Sequence, residues 1–128
     1  VIGIVVRYNQ KRAYVEALPD ALDRFSDERC VLAGDFNLPM VSHRGLSGEL
    51  HGVLAARDLR VVSAGPWPEL DGERPLIDHI AIGSGLSLDR VDVWPRRDSS
   101  GTRQLTDHAG VVATLSLHRP HPEEGGLI

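Results

Sequence analysis

Three short stretches of the chain set acidic, amide and imidazole side chains where they could act on one ligand. In "GDFN", Asp35 and Asn37 follow directly on the apolar run "CVLA". Strand alternation would aim both at one side and turn Phe36 into packing, at the strand end where layered α/β proteins place their sites. The same tetrapeptide is made of turn formers, so a plain turn in which Asp35 bonds nearby backbone is the competing reading. In "LIDHIAIG", Asp78 shares a period-2 face with Ile80 and Ile82, which reads as the core face, while His79 and Ile77 face the other way. A carboxylate there is costly unless something bonds to it. Either it orients a histidine, or water or a backbone N–H satisfies it at a strand end. In "LTDHAGVV", Asp107 and His108 stand side by side before a strand. An aspartate can ligate a divalent cation, and a histidine held by a carboxylate can become a cationic donor to a phosphate. A polar strand cap is the plainer alternative.

The elements that must position these groups alternate in type. Residues 1–7, "VIGIVVR", read as a buried β-branched strand interrupted by Gly3. From Gln10 to Phe25 the apolar residues recur at i, i+3 and i+4, which predicts a helix kinked or broken at Pro19. "CVLAG" is a second strand. Ser47 reads as the N-cap of a further helix, with Leu50, Val53, Leu54 and Leu59 on its apolar face. "GPWPELDGERP" is a Pro- and Gly-rich connection. "LIDHIAIG", "LDRVDVWP" and "HAGVVATLSL" are strands, with the polar loop "RRDSSGTRQL" before the last. This order predicts an α/β (equally α+β) layered domain with a mixed sheet over residues 1–117, and a flexible tail over 118–128.

At 128 residues, 41% hydrophobic and 25% charged, the composition is that of an ordinary globular domain or part of one. A net charge of -4 argues against nucleic-acid binding driven by overall charge, but not against a local site carrying a cation. The one cysteine, Cys30, excludes an intrachain disulfide or a cysteine-rich zinc site and reads as a small core residue. No apolar run approaches the roughly 20 residues needed to span a bilayer. The compartment stays open, with the cytoplasm slightly favoured.

Taken in order, "GDFN", "IDHI" and "TDHAGVV" resemble the C-terminal motifs of the endonuclease/exonuclease/phosphatase (DNase I-like) superfamily. The resemblance covers about Val1 to Leu117 and implies the C-terminal half of a four-layer α/β/β/α sandwich. It implies a metal-dependent phosphoesterase, a nuclease acting on DNA being one form, with Mg²⁺ or Mn²⁺ as cofactor. By the same resemblance Asp35 would align or deprotonate the attacking water, and Asn37 would position the phosphate or a metal. Asp78 would bond His108 and keep it charged, His108 would contact the scissile phosphate, and Asp107 would ligate the cation. Tyr8 falls near a position where the family carries a histidine or tyrosine, although it reads equally as the lead-in to the first helix.

The family also implies an N-terminal half with a second sheet, an early asparagine and a metal-binding glutamate. That half is expected in the same polypeptide, since Glu16 and Glu28 do not follow an early strand. Without it, the apolar faces of the strands would be left open.

The other candidates are weaker. His43, His51, His118 and His121 lack a metal-ligand spacing, and His51 is expected to face solvent. Trp67 and Trp94 are expected to pack against their own loops, and Arg96, Arg97 and Arg103 form a basic loop that could meet phosphates. Two classes of function stay open: a phosphoesterase, and a non-catalytic binding module or inactive fragment that keeps the fold.

Overall fold

The computed structural model describes residues 1–117, and the expected tail at 118–128 lies outside them. Its apolar β-branched runs pair into a four-stranded sheet of order β1-β2-β4-β3. β1 (Ile2–Val5) lies parallel to β2 (Val31–Asp35). β4 (Asp78–Gly83) runs antiparallel to β2 and to β3 (Leu59–Val61), so the sheet is mixed, in an α+β chain. β5 (Leu86–Trp94) and β6 (Gly110–Leu117) form a separate antiparallel pair with a register shift between Leu88 and Arg90.

Two helices cover one sheet face. α1 (Lys11–Phe25) turns Val15 and Leu22 inward, and α2 (Gly45–Ala55) turns in Leu50 and Leu54. They close over Leu32, Leu59 and Ala81 with Cys30, Phe36, Leu38 and Met40, which makes one continuous core. Burying each large aliphatic side chain contributes about 1.5–3 kcal/mol, so this layer carries most of the stability. A smaller cluster of Leu70, Leu76, Val93 and Ala109, with Trp67 packed against it, ties the long connection to the β5–β6 pair.

Four expectations change. α1 runs unbroken through Pro19, because Val15 and Leu22 on either side of it are both anchored in the core. α2 begins at Gly45, two residues before the expected cap, and Ser47 is buried inside it. Leu59 belongs to β3, a strand too short for its alternation to stand out from the preceding helix. On β4, the face packed under the helices carries His79 and Ala81, not Asp78. Among the described residues no helix is long and apolar enough to cross a membrane.

Candidate functional site

Asp35 ends β2, Asp78 begins β4, and the two are direct partners in the antiparallel register. Opposed residues share a face, with Cβ atoms about 4.5–5.5 Å apart. This places two carboxylates together on the sheet face away from the helices. The segment before β6 adds His108, whose Nδ1 lies 2.6 Å from Asp78 Oδ2. One ligand atom from each of Asp35, Asp78 and His108 falls within 4.8 Å of the others.

The electrostatics follow from this crowding. The hydrogen bond to Asp78 raises the His108 pKa above its ordinary value against partial desolvation, and the charges of Asp78, Asp35 and Asp107 add to the rise. Burial pushes the Asp78 carboxyl up, and so does the charge of Asp35. The bond to His108 and the charge of Arg96 oppose that rise. A proton on Nδ1 facing the carboxylate leaves Nε2 as the ring nitrogen available to a ligand.

"GDFN" turns out to be both a strand end and a turn. Asp35 Oδ1 accepts the Asn37 backbone N–H at 2.8 Å, and Asn37 sits at φ 51°, in the left-handed region that asparagine tolerates. Its side chain does not continue the strand alternation. Asn37 Nδ2 donates to the Val6 carbonyl and, at 3.4 Å, to Asp35 Oδ2, which fastens the turn to the end of β1. Phe36 between them is fully buried, as alternation expects. Gly34 is required because a Cβ there would lie 2.0 Å from the Ile4 carbonyl oxygen, at φ +142°.

Beneath the carboxylates, on the helix side, lies a histidine to which the sequence reading gave no role. His79 is 1% exposed. Its Nε2 donates to the Leu76 carbonyl at 2.9 Å and leans on that of Leu38 at 3.2 Å. Ser63 Oγ accepts from the Ile80 N–H at 2.9 Å and donates to His79 Nδ1 at 3.0 Å. Burial lowers the His79 pKa to about 4, so the ring is neutral. A histidine set between isoleucines in a strand was the available signal. His51, expected in solvent, is half-buried, stacks on His43 and bonds the Met40 carbonyl at 2.7 Å.

The remaining site candidates stand apart from the three-group cluster. Asp107 is exposed, and its backbone carbonyl accepts from Arg96 Nε at 3.0 Å. Tyr8 opens the 3-10 turn leading into α1, 77% exposed, with Lys11 Nζ 4.3 Å from its ring centre. Trp67 packs as expected, its Nε1 donating to the Ser63 carbonyl at 2.8 Å, whereas Trp94 is exposed. A cleft of about 720 Å³ opens beside Asp78 and His108, walled by Gly34, Ile80, Trp94 and Leu105.

No protein-family model matches the chain, and no curated protein matches it.

Proposed function

We propose that the chain carries a phosphoester-hydrolysing site of the DNase I-like kind. The supporting observation is the Asp78–His108 pair at 2.6 Å with Asp35 beside it, three groups drawn from separate elements onto one face. Hydrolysis requires an aligned water, stabilisation of charge on the non-bridging oxygens and help for the leaving oxygen. In this reading Asp35, fixed by its bond to the Asn37 N–H, orients and deprotonates the water. Asp78 holds the His108 ring and favours its cation, and His108 Nε2 meets the phosphate oxygen. Asn37 sets the turn that aims Asp35.

Mg²⁺ or Mn²⁺ suits the donor chemistry here, since carboxylate oxygens are the ligands a hard cation takes. Asp107 would hold it next to the phosphate, with the glutamate that the resemblance implies in an N-terminal half of the same polypeptide. When bound, the ion would polarise the phosphate and neutralise developing charge. In the same reading, the sheet with its two helices is one half of a four-layer α/β/β/α sandwich. The half-exposed Ala33 and Ile80 flank the carboxylates on the face that the second sheet would cover.

One observation favours the second reading, a binding module that keeps the fold without turnover: Asp107 stands outside the carboxylate cluster. The two readings separate in an assay of phosphodiester hydrolysis with Mg²⁺, Mn²⁺ or chelator. The proposal expects metal-dependent turnover in the polypeptide that includes the N-terminal half, abolished by His108→Ala with the fold retained. Turnover that survives the substitution rules out the role given to His108.

A further inference from the structure

A second, polar recess opens at Asp107. It measures about 280 Å³ and is walled by Glu73, Arg74, Arg96, Arg97, Gln104 and Asp107. Two segments distant in sequence build it, the connection before β4 and the loop between β5 and β6. A backbone bridge between Arg97 and Gln104 fixes that loop. Arg96 is the fixed member: Nε donates to the Asp107 carbonyl at 3.0 Å and Nη1 to the Arg74 carbonyl at 3.2 Å. Its side chain is 12% exposed and lies 3.8 Å from Glu73 Oε2, a buried oxygen that no hydrogen bond reaches, so the two charges offset each other without a direct bond. Arg74 and Arg97 are exposed, and neither forms an ion pair among the described residues. Three guanidinium groups thus meet two carboxylates, leaving a local positive excess in a chain whose net charge is -4.

We propose that this recess is a second phosphate subsite, in which Arg74, Arg97 and Gln104 receive a backbone phosphate next to the one that reaches His108. The inference rests on the hydrolysis reading and sharpens it, naming a polynucleotide strand as the substrate class in place of an isolated phosphate ester. Arginine suits the task because its planar fork of donors matches phosphate oxygens and it stays charged. Position supports the pairing of sites: Asp107 walls the recess, His108 is the next residue, and Arg96 contacts the first and influences Asp78 by its charge. A ligand with one phosphate fills one site. A strand presents phosphates in series, and contacts away from the reacting phosphate fix its register.

The test uses this chain, a labelled single-stranded DNA decamer and chelator, so that neither turnover nor metal enters the readout. Fluorescence anisotropy should show Arg74→Gln and Arg97→Gln each weakening binding about three- to ten-fold. The double variant should lower the slope of log K against log salt by about 0.7, as expected for one lost single-strand phosphate contact. Amide NMR shifts on adding the decamer should appear at both Gly72/Gln104 and Asp78/His108. Shifts at Asp78/His108 alone, with Kd unchanged in the double variant, overturn the subsite and leave the hydrolysis reading standing. Shifts at Gly72/Gln104 alone keep the subsite and count against the reading of His108. No decamer binding, or equally tight binding of a polyglutamate peptide of the same length, overturns the inference.

Discussion

His108 Nδ1 and Asp78 Oδ2 lie 2.6 Å apart although thirty residues separate them, and this bond gives His108 its raised pKa. The carboxylate faces the ring nitrogen and stabilises the imidazolium, so a cation persists to higher pH than in a free histidine. Asp78→Asn removes that charge without changing the shape. The His108 pKa should then fall back toward its ordinary value, followed in the ring resonances by an NMR pH titration. In the polypeptide that includes the N-terminal half, the proposed hydrolysis should drop about 10²-fold, within the range of a lost acid–base contribution. Its alkaline limb should shift to lower pH, because the cation is lost sooner. An unshifted titration would show that Asp78 does not hold the ring.

His79 supplies a pH dependence of stability with the opposite sign. Its folded pKa of about 4 is below the ordinary 6.5, so the unfolded chain binds the extra proton first. Stability from this group is therefore full above about pH 6.5 and falls as the pH drops toward 4, by about 3 kcal/mol in total. Urea unfolding across that window measures it. His79→Phe keeps an aromatic ring but cannot bond Ser63 or Leu76, and it should flatten the acid slope while lowering stability at pH 7. A slope unchanged in His79→Phe assigns the proton uptake to another group.

Much of this site was legible because each of its polar residues sits beside an apolar run whose direction is readable. Asp35 ends one apolar strand and Asp78 opens another, and the strand pairing that joins them needs only that both strands exist. His79 was misread for a physical reason. Period-2 alternation gives two faces but does not say which is covered, and Ile80 and Ile82 outweighed a lone histidine. The answer depends on α1 and α2, both of which pack on the His79 side. β3 escaped because its three residues follow α2 without a breaker, and its pairing to β4 is long-range. Asn37 escaped for a local reason: its φ of 51° ends the alternation from which its direction was inferred.

Gly34 precedes Asp35 and touches the neighbouring strand. A Cβ at this position would lie 2.0 Å from Ile4 O, a backbone atom that cannot move without displacing β1, and φ +142° disfavours any L side chain. Gly34→Ala should destabilise the fold by about 3 kcal/mol, combining overpacking with backbone strain. The midpoint of a urea transition reads it directly. Gly3→Ala on the adjacent strand is the control, since nothing lies within 4 Å of its added Cβ. Equal midpoints for the two variants would mean that β1 gives way freely.

Asn37 combines two contributions that substitution can separate. Its side chain ties the turn to the Val6 carbonyl, and its residue type tolerates the left-handed backbone. Asn37→Gly keeps the backbone freedom and loses the tie, so it should cost about 1 kcal/mol, the net worth of one hydrogen bond. Asn37→Ala loses both and should cost about 1–2 kcal/mol more, the penalty for an L residue at that φ. In the polypeptide that includes the N-terminal half both variants should also slow the proposed hydrolysis, because Asp35 Oδ1 accepts from the Asn37 N–H and its aim depends on the turn. If Asn37 acts only through the turn, turnover in the two variants should follow their stability order, glycine above alanine. If its amide also touches the phosphate, both variants should lose turnover equally despite their different stabilities. Urea midpoints and initial rates on the same two proteins decide between these outcomes.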